Sequence, residues 1–222
     1  MKTYAVIVAA GTGSRMKSEV PKQFMLLNNK PVLFYSVQRF LQAYDDLEVI
    51  LVLPADHMAN GQEIVDGFFD SKRITICEGG RTRFHSVKNG LSLIESESII
   101  FVHDGVRCLV TTGLIDRCFK AAVEFGTAVP VVDMKESVRL ITEDGNEPVE
   151  RDSVKIVQTP QAYHSKILLP AFTIDYKEKF TDEASVVEAY GLKIHLVKGE
   201  ENNIKITLPS DLLFAETLLS EP

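Results

Sequence analysis

The sequence predicts an α/β fold, a mostly parallel sheet flanked by helices with one projecting β-hairpin arm. Three observations lead there. Short apolar runs that suit buried strands alternate with segments of helical period. Glycine-bearing turns follow several of these runs, as a βαβ chain requires where it changes direction. One mid-chain stretch, 137–157, breaks the rhythm with two extended segments around a polar turn.

The elements follow in order. Residues 4–10, Tyr-Ala-Val-Ile-Val-Ala-Ala, form a buried strand. Residues 31–43 open with Pro31, suited to a first helical turn, and place Val32, Leu33, Tyr35, Ser36 and Phe40 at helical spacing. A second strand spans 47–53 and is closed by Pro54; a helix near 56–69 leads to a short strand, Ile74–Cys77. Residues 81–95 have a helical pattern, 98–103 form another buried strand, and a helix over 112–125 leads to strand 127–132. Within 137–157, Ser137–Ile141 and Val154–Val157 flank the polar turn Glu143–Pro148, so the stretch is expected to project as a hairpin. Its edges need cover, and a homodimer through this arm is expected. With no repeat, low-complexity tract or linker, residues 1–222 are expected to form one domain plus the arm.

Composition narrows the function classes. Hydrophobic residues make up 45% and charged residues 25%, the balance of an ordinary globular chain. The apolar runs are too short to span a membrane. Met1-Lys2-Thr3 enters a strand directly, so no signal peptide and a cytoplasmic location are expected. Cys77, Cys108 and Cys118 are odd in number and lack metal-ligand spacing, which fits reduced thiols, with Cys118 in the core. A net charge of −7 speaks against nucleic acid as a partner. Yet Arg15, Lys17, Lys22, Arg81, Arg83, Arg107 and Lys205 all fall in or beside glycine-rich or turn segments. They are either solvated surface charges or the lining of a pocket for a small anion.

The first strand runs into Gly11-Thr12-Gly13-Ser14-Arg15-Met16 and then Pro21-Lys22-Gln23. Glycines let backbone N–H groups approach an anion, and Arg15 and Lys22 bring mobile positive charge. This is a triphosphate grip of neither common kind. It lacks the Gly-Lys-Ser/Thr end of a P-loop, and Met16 stands where a dinucleotide fingerprint needs its third glycine. Glu78-Gly79-Gly80 follows a strand and opens a helix, where Ser86 can hydrogen-bond a base or ribose. In Val102-His103-Asp104-Gly105-Val106-Arg107 a carboxylate ends a buried strand, as a Mg²⁺-nucleotide site requires. The alternative makes Asp104 a turn cap paired with Arg107. His103 is expected to be structural. Lys205, in a short strand, matters only if that strand returns to the first loop.

Taken together these segments resemble the 2-C-methyl-D-erythritol 4-phosphate cytidylyltransferase family. The likeness rests on Ala9–Met16, Pro21-Lys22-Gln23, Gly79-Gly80 with Arg83 and Ser86-Val87, Val102-His103-Asp104 with Arg107, Gln158–Gln161, Thr181–Ser185 and Asn203-Ile204-Lys205. It implies a Rossmann-like nucleotidyltransferase sheet and transfer of a cytidylyl group from CTP to a sugar-alcohol phosphate, releasing pyrophosphate. It also implies that Arg15, Lys22 and Lys205 hold the phosphates, with Asp104 on Mg²⁺ or another divalent cation. Ala10, Gly11, Gly13 and Gly80, with Ser86, would bind the nucleotide; Arg107, Thr159 and Thr181 would contact the alcohol phosphate, joined by Arg151 from the partner's arm. Two departures stand out. Gly105-Val106-Arg107-Cys108 replaces the family's Ala-Ala-Arg-Pro, and Met134 follows Asp133 where the family tends to have threonine. Met134 keeps ribitol 5-phosphate open as an alternative acceptor, and a noncatalytic nucleotide-binding subunit is the alternative of another class.

Overall fold

The computed structural model describes residues 1–11 and 20–220. Its first half contains β1 (Lys2–Val8), the two-residue pair β2 (Leu26–Leu27) and β3 (Lys30–Pro31), α1 (Val32–Ala43), β4 (Leu47–Leu53) and α2 (Met58–Phe68). These are followed by β5 (Ile74–Glu78), α3 (Arg83–Leu91), β6 (Ser98–Asp104) and α4 (Thr112–Phe125). The second half adds β7 (Thr127–Asp133), β8 (Val138–Thr142), β9 (Gly145–Val149), β10 (Lys155–Val157) and β11 (Gln161–His164). It closes with α5 (Ser165–Ala171), α6 (Glu183–Ala189), β12 (Leu196–Lys198) and α7 (Pro209–Ser220).

Hydrogen bonding orders the main sheet β10-β7-β11-β6-β1-β4-β5, with β12 also paired to β7. The pairs among β6, β1, β4 and β5 are parallel, whereas β11 runs antiparallel to both β6 and β7. The expected parallel core is present, joined to an antiparallel flank. Alternation along the central strands fills two cores. Ala5, Ile7, Val49, Leu51, Ile99 and Phe101 meet Leu33, Val37 and Phe40 of α1 and Leu114, Ile115 and Cys118 of α4 on one face. Tyr4, Val6, Ile50, Val52, Ile100 and Val102 meet α3, α5 and α6 on the other. The strands therefore have near-continuous apolar sequences, because both faces are covered. None of the described helices is long and apolar enough to cross a membrane.

Two expectations need correction. The arm is the hairpin β8–β9 alone, in register from Val138–Val149 to Thr142–Gly145. Gly145, at φ +134°, starts the returning strand, so much of the stretch read as a turn is β9. Val154–Val157 does not pair with Ser137–Ile141. Instead β10 returns to the main sheet, with Lys155 opposite Asp133 of β7. The second correction concerns Lys205, which lies in an irregular segment, not a strand. Side chains hold that segment where a ladder would have done so. Asp211 Oδ2 accepts from the N–H groups of Thr207 and Leu208, both at 2.7 Å, and Arg107 Nη1 donates to Asn203 O at 2.8 Å.

Phe40 is fully buried against the rings of Phe101 and His103. Phe40→Ala should cost about 3–5 kcal/mol, read as a lower urea midpoint at unchanged m-value.

Candidate active site

The sheet brings four strand ends together. Val8, the last residue of β1, sits opposite Asp104, the last of β6. Gly79 N–H donates to Leu53 O at 2.7 Å, and Gly105 N–H to Val8 O at 2.9 Å. Beyond β1, Gln23 Nε2 donates to the carbonyls of Ala9 (2.7 Å) and Gly11 (3.1 Å), fixing the path of the backbone. The loop after β5 packs directly on it. A Cβ at Gly79 would lie 2.5 Å from Ala10 Cβ, and one at Gly80 would lie 2.4 Å from His85 Cβ, so only glycine fits. Ser86 Oγ accepts from Gly80 N–H (3.1 Å) and donates to Thr82 O (3.0 Å), bolting this loop to α3. The cleft so formed holds about 410 Å³ and is lined by Ala10, Gly11, Lys22, Gly80, Ser86, Asp104 and Lys205, among others.

Lys205 reaches this cleft although it is distant in sequence. Ile206 N–H donates to Val106 O at 3.0 Å, and Lys22 Nζ donates to Ile206 O at 2.8 Å. Leu27, Val32, Val106, Cys108, Ile206 and Ala215 form a small third core beneath the segment. The segment thus returns to Lys22 and to the turn after β6.

Asp104 is the electrostatic centre. Its Oδ1 lies 3.1 Å from Arg83 Nε, and its Oδ2 lies 2.8 Å from Lys205 Nζ and 3.7 Å from Arg107 Nε. Burial alone would raise its pKa, but Arg83, Lys205 and Arg107 hold it far below the usual carboxylate range. Arg83 also makes a two-pronged contact with Glu183, Nη1 to Oε1 at 2.5 Å and Nη2 to Oε2 at 3.1 Å. Burial pushes the Glu183 carboxyl up, against the pull of Arg83.

His103 is structural, as expected. Its Nε2 can meet only an acceptor, Arg107 O at 3.3 Å, so that nitrogen carries the proton. Nδ1 then accepts from Thr159 Oγ1 at 3.2 Å, and Thr159 Oγ1 accepts from Asp104 N–H at 3.0 Å. The Thr159 hydroxyl proton is therefore directed to His103. Burial lowers the His103 pKa to about 3. Burial likewise raises the thiols of Cys77, Cys108 and Cys118, to about 11, 12 and 12, which keeps them protonated at neutral pH.

A second cleft of about 240 Å³ adjoins the first, lined by Arg83, Asp104, Arg107, Val157, Gln158, Thr159, Gln161, Thr181, Asp182 and Lys205. The two share Arg83, Asp104 and Lys205. Of the expected site residues, Ala10, Gly11, Gly80, Ser86, Lys22, Asp104 and Lys205 meet in the first cleft, and Arg107, Thr159 and Thr181 in the second. Arg15 and Gly13 lie outside the described residues. Arg151 sits in a single helical turn at the foot of the arm, away from both clefts, with Nη1 donating to Lys135 O at 3.0 Å.

Sequence reasoning placed Arg83 only among the cations of a possible anion pocket and gave no role to Gln23 or Glu183. The signal for Arg83 was its place at the head of a helix behind paired glycines. Glu183 offered only its place in an acidic run, since its partner lies a hundred residues away.

The chain matches the model of the family described as 2-C-methyl-D-erythritol 4-phosphate cytidylyltransferase over residues 3–221. It is 45% identical to the protein of that name from Bacteroides fragilis over 216 residues, covering 97% of this chain and 98% of the relative. The namesake from Phocaeicola vulgatus is 42% identical over 219 residues, covering 99% and 100%. Among solved structures, 4-diphosphocytidyl-2C-methyl-D-erythritol synthase from Anaerococcus prevotii superposes with a TM-score of 0.85 at 26% identity, covering 99% of each chain.

The buried His103 sets a pH dependence. Its folded pKa lies below the unfolded value of about 6.5, so between them the unfolded chain binds the extra proton and stability falls as pH falls. Going from pH 7 to pH 5 should cost about 2 kcal/mol through this group. Urea unfolding at the two pH values should show a smaller difference in His103→Gln than in the wild type.

Proposed function

The chain belongs to the 2-C-methyl-D-erythritol 4-phosphate cytidylyltransferase family, and on that premise we propose how its two clefts carry out cytidylyl transfer. CTP and 2-C-methyl-D-erythritol 4-phosphate give 4-diphosphocytidyl-2-C-methyl-D-erythritol and pyrophosphate, a step of non-mevalonate isoprenoid synthesis. An oxygen of the alcohol phosphate attacks the α-phosphorus of CTP as the bond to the β-phosphate oxygen breaks. No protein nucleophile is required, so the work of the site is positioning and charge stabilisation. The observation that carries the reading is the junction of the clefts at Arg83, Asp104 and Lys205, where the reacting phosphates of two ligands would meet.

CTP occupies the larger cleft. Backbone at Ala10, Gly11 and Gly80, with Ser86, reads the cytosine. Lys22 and Lys205 hold the triphosphate, joined by Arg15 and by the backbone at Gly13. The alcohol phosphate takes the second cleft against Arg107 and Thr181. Its contact with Arg151 is made across a homodimer in which β8–β9 reaches the other subunit. The hairpin's exposed Leu140 and Ile141 suit such a contact, and the chain works as one domain with this arm.

Asp104 suits a divalent ion such as Mg²⁺. It is the one carboxylate among the described residues lining the larger cleft, and no described group of three or more acidic, histidine or cysteine side chains could cage a metal. Mg²⁺ accepts such a site when phosphates and water complete its shell. Asp104 Oδ2 would hold the ion once Lys205 turns to the triphosphate. When bound, the ion neutralises phosphate charge during transfer.

The family match favours methylerythritol phosphate over ribitol phosphate despite Met134. Pyrophosphate release with CTP, Mg²⁺ and each alcohol phosphate tests this directly; a preference for ribitol 5-phosphate would overturn it. Lys22→Ala should lower kcat by about 100-fold or more, with near-native circular dichroism as the check on folding. Arg151→Ala should raise KM for the alcohol phosphate and leave CTP binding by calorimetry unchanged. A change confined to CTP binding would displace the arm from this role.

A further inference from the structure

We propose that Glu183 is a positioning residue, which acts through Arg83 to hold the carboxylate of Asp104 at the junction of the two clefts. The inference rests on the cytidylyl-transfer reading above and adds to it a residue that lines neither cleft.

The geometry divides the Arg83 fork between two carboxylates. Both terminal nitrogens face Glu183, at 2.5 and 3.1 Å, so the guanidinium plane is fixed by a paired contact. That orientation leaves Nε aimed at Asp104 Oδ1, at 3.1 Å. Asp104 Oδ1 is thereby held by Arg83, while Oδ2 faces Lys205 Nζ at 2.8 Å and, more distantly, Arg107 Nε at 3.7 Å.

Glu183 is itself held from behind. It opens α6, whose first turn is closed by a reciprocal cap between Asp182 and Ser185. Gln161 of β11 donates to Asp182 Oδ2 (2.8 Å) and accepts from Ala184 N–H (3.0 Å) and Tyr163 OH (2.7 Å). A rigid path therefore runs from the sheet to α6, to Arg83 at the head of α3, and on to Asp104.

An ion pair this buried is a poor choice for stability alone. Its side chain is 1% exposed on the Glu183 side, and an apolar pair of similar size commonly does as well or better. Charge at 183 also has an electrostatic effect at the site. Without it, Arg83 would be free to turn its terminal nitrogens toward phosphates, which strengthens ground-state binding while Asp104 Oδ1 loses the group that orients it.

The test compares the full-length wild type with Glu183→Gln, Arg83→Gln and the double variant. Glu183→Gln should lower kcat by about 10–100-fold and raise the Mg²⁺ concentration for half-maximal rate by about tenfold. Adding it to Arg83→Gln should cost little more, because both act along one path. CTP binding by calorimetry, with and without Mg²⁺, gives a readout independent of turnover: the gain that Mg²⁺ confers should shrink in Glu183→Gln. A lower melting temperature with unchanged kcat and unchanged Mg²⁺ dependence would overturn the proposal, as would full additivity. If Glu183→Gln does not fold, the volume-matched pair Arg83→Met with Glu183→Met replaces it; wild-type kcat in that folded variant would also overturn the proposal. A wild type inert toward both alcohol phosphates would count against cytidylyl transfer, and the Mg²⁺ dependence of CTP binding would still decide the role of Glu183.

Discussion

One carboxylate, Asp104, makes the rest of this site possible. Arg83, Arg107 and Lys205 all lie within 3.7 Å of it, on three separate parts of the chain. Packed together without it, these cations would repel one another in a region only partly open to water. With it, they occupy one small volume at the wall shared by the two clefts. Burial pushes the carboxyl up, and its ring of positive charge more than offsets that and keeps it ionised.

The sheet explains why that charge sits where it does. A parallel core aligns the carboxyl ends of β1, β4, β5 and β6, so loops that are far apart in sequence become neighbours. The antiparallel β11 then brings Thr159 and Gln161 to the other side of β6. Asp104 lies between the two regimes, with the larger cleft toward β1 and the smaller toward β11. The change in strand direction beside β6 is what gives the site two compartments with a common wall.

Much of this was legible in the sequence. The apolar runs of β1, β4 and β6 could be read because strands covered on both faces have no polar alternation to confuse the pattern. The glycine loops and the strand-end Asp104 announced themselves through residue type and position. What escaped notice depended on long-range contact. The sequence Ile204-Lys205-Ile206 has the composition of a strand, yet Ile206 pairs with the carbonyl of Val106 and with Lys22 Nζ, while Arg107 and Asp211 hold the flanking Asn203 and Thr207. The arm was misjudged for a related reason. Val154–Val157 suits a hairpin strand or a sheet edge equally well, and only the place left beside β7 decides. That the hydroxyl of Thr159 bridges His103 and the N–H of Asp104 is likewise invisible in the local sequence. Glu183 and Gln23 act through partners that no spacing rule connects.

Lys205 is held through its neighbours, with Arg107 on the carbonyl of Asn203 and Asp211 on the N–H of Thr207, against a turn laid down far earlier in the sequence. The wall it completes is therefore a product of tertiary closure and not of any local stretch of chain. Loosening the segment that carries it would leave the sheet and both of its cores whole while the Asp104 cluster lost one of its cations.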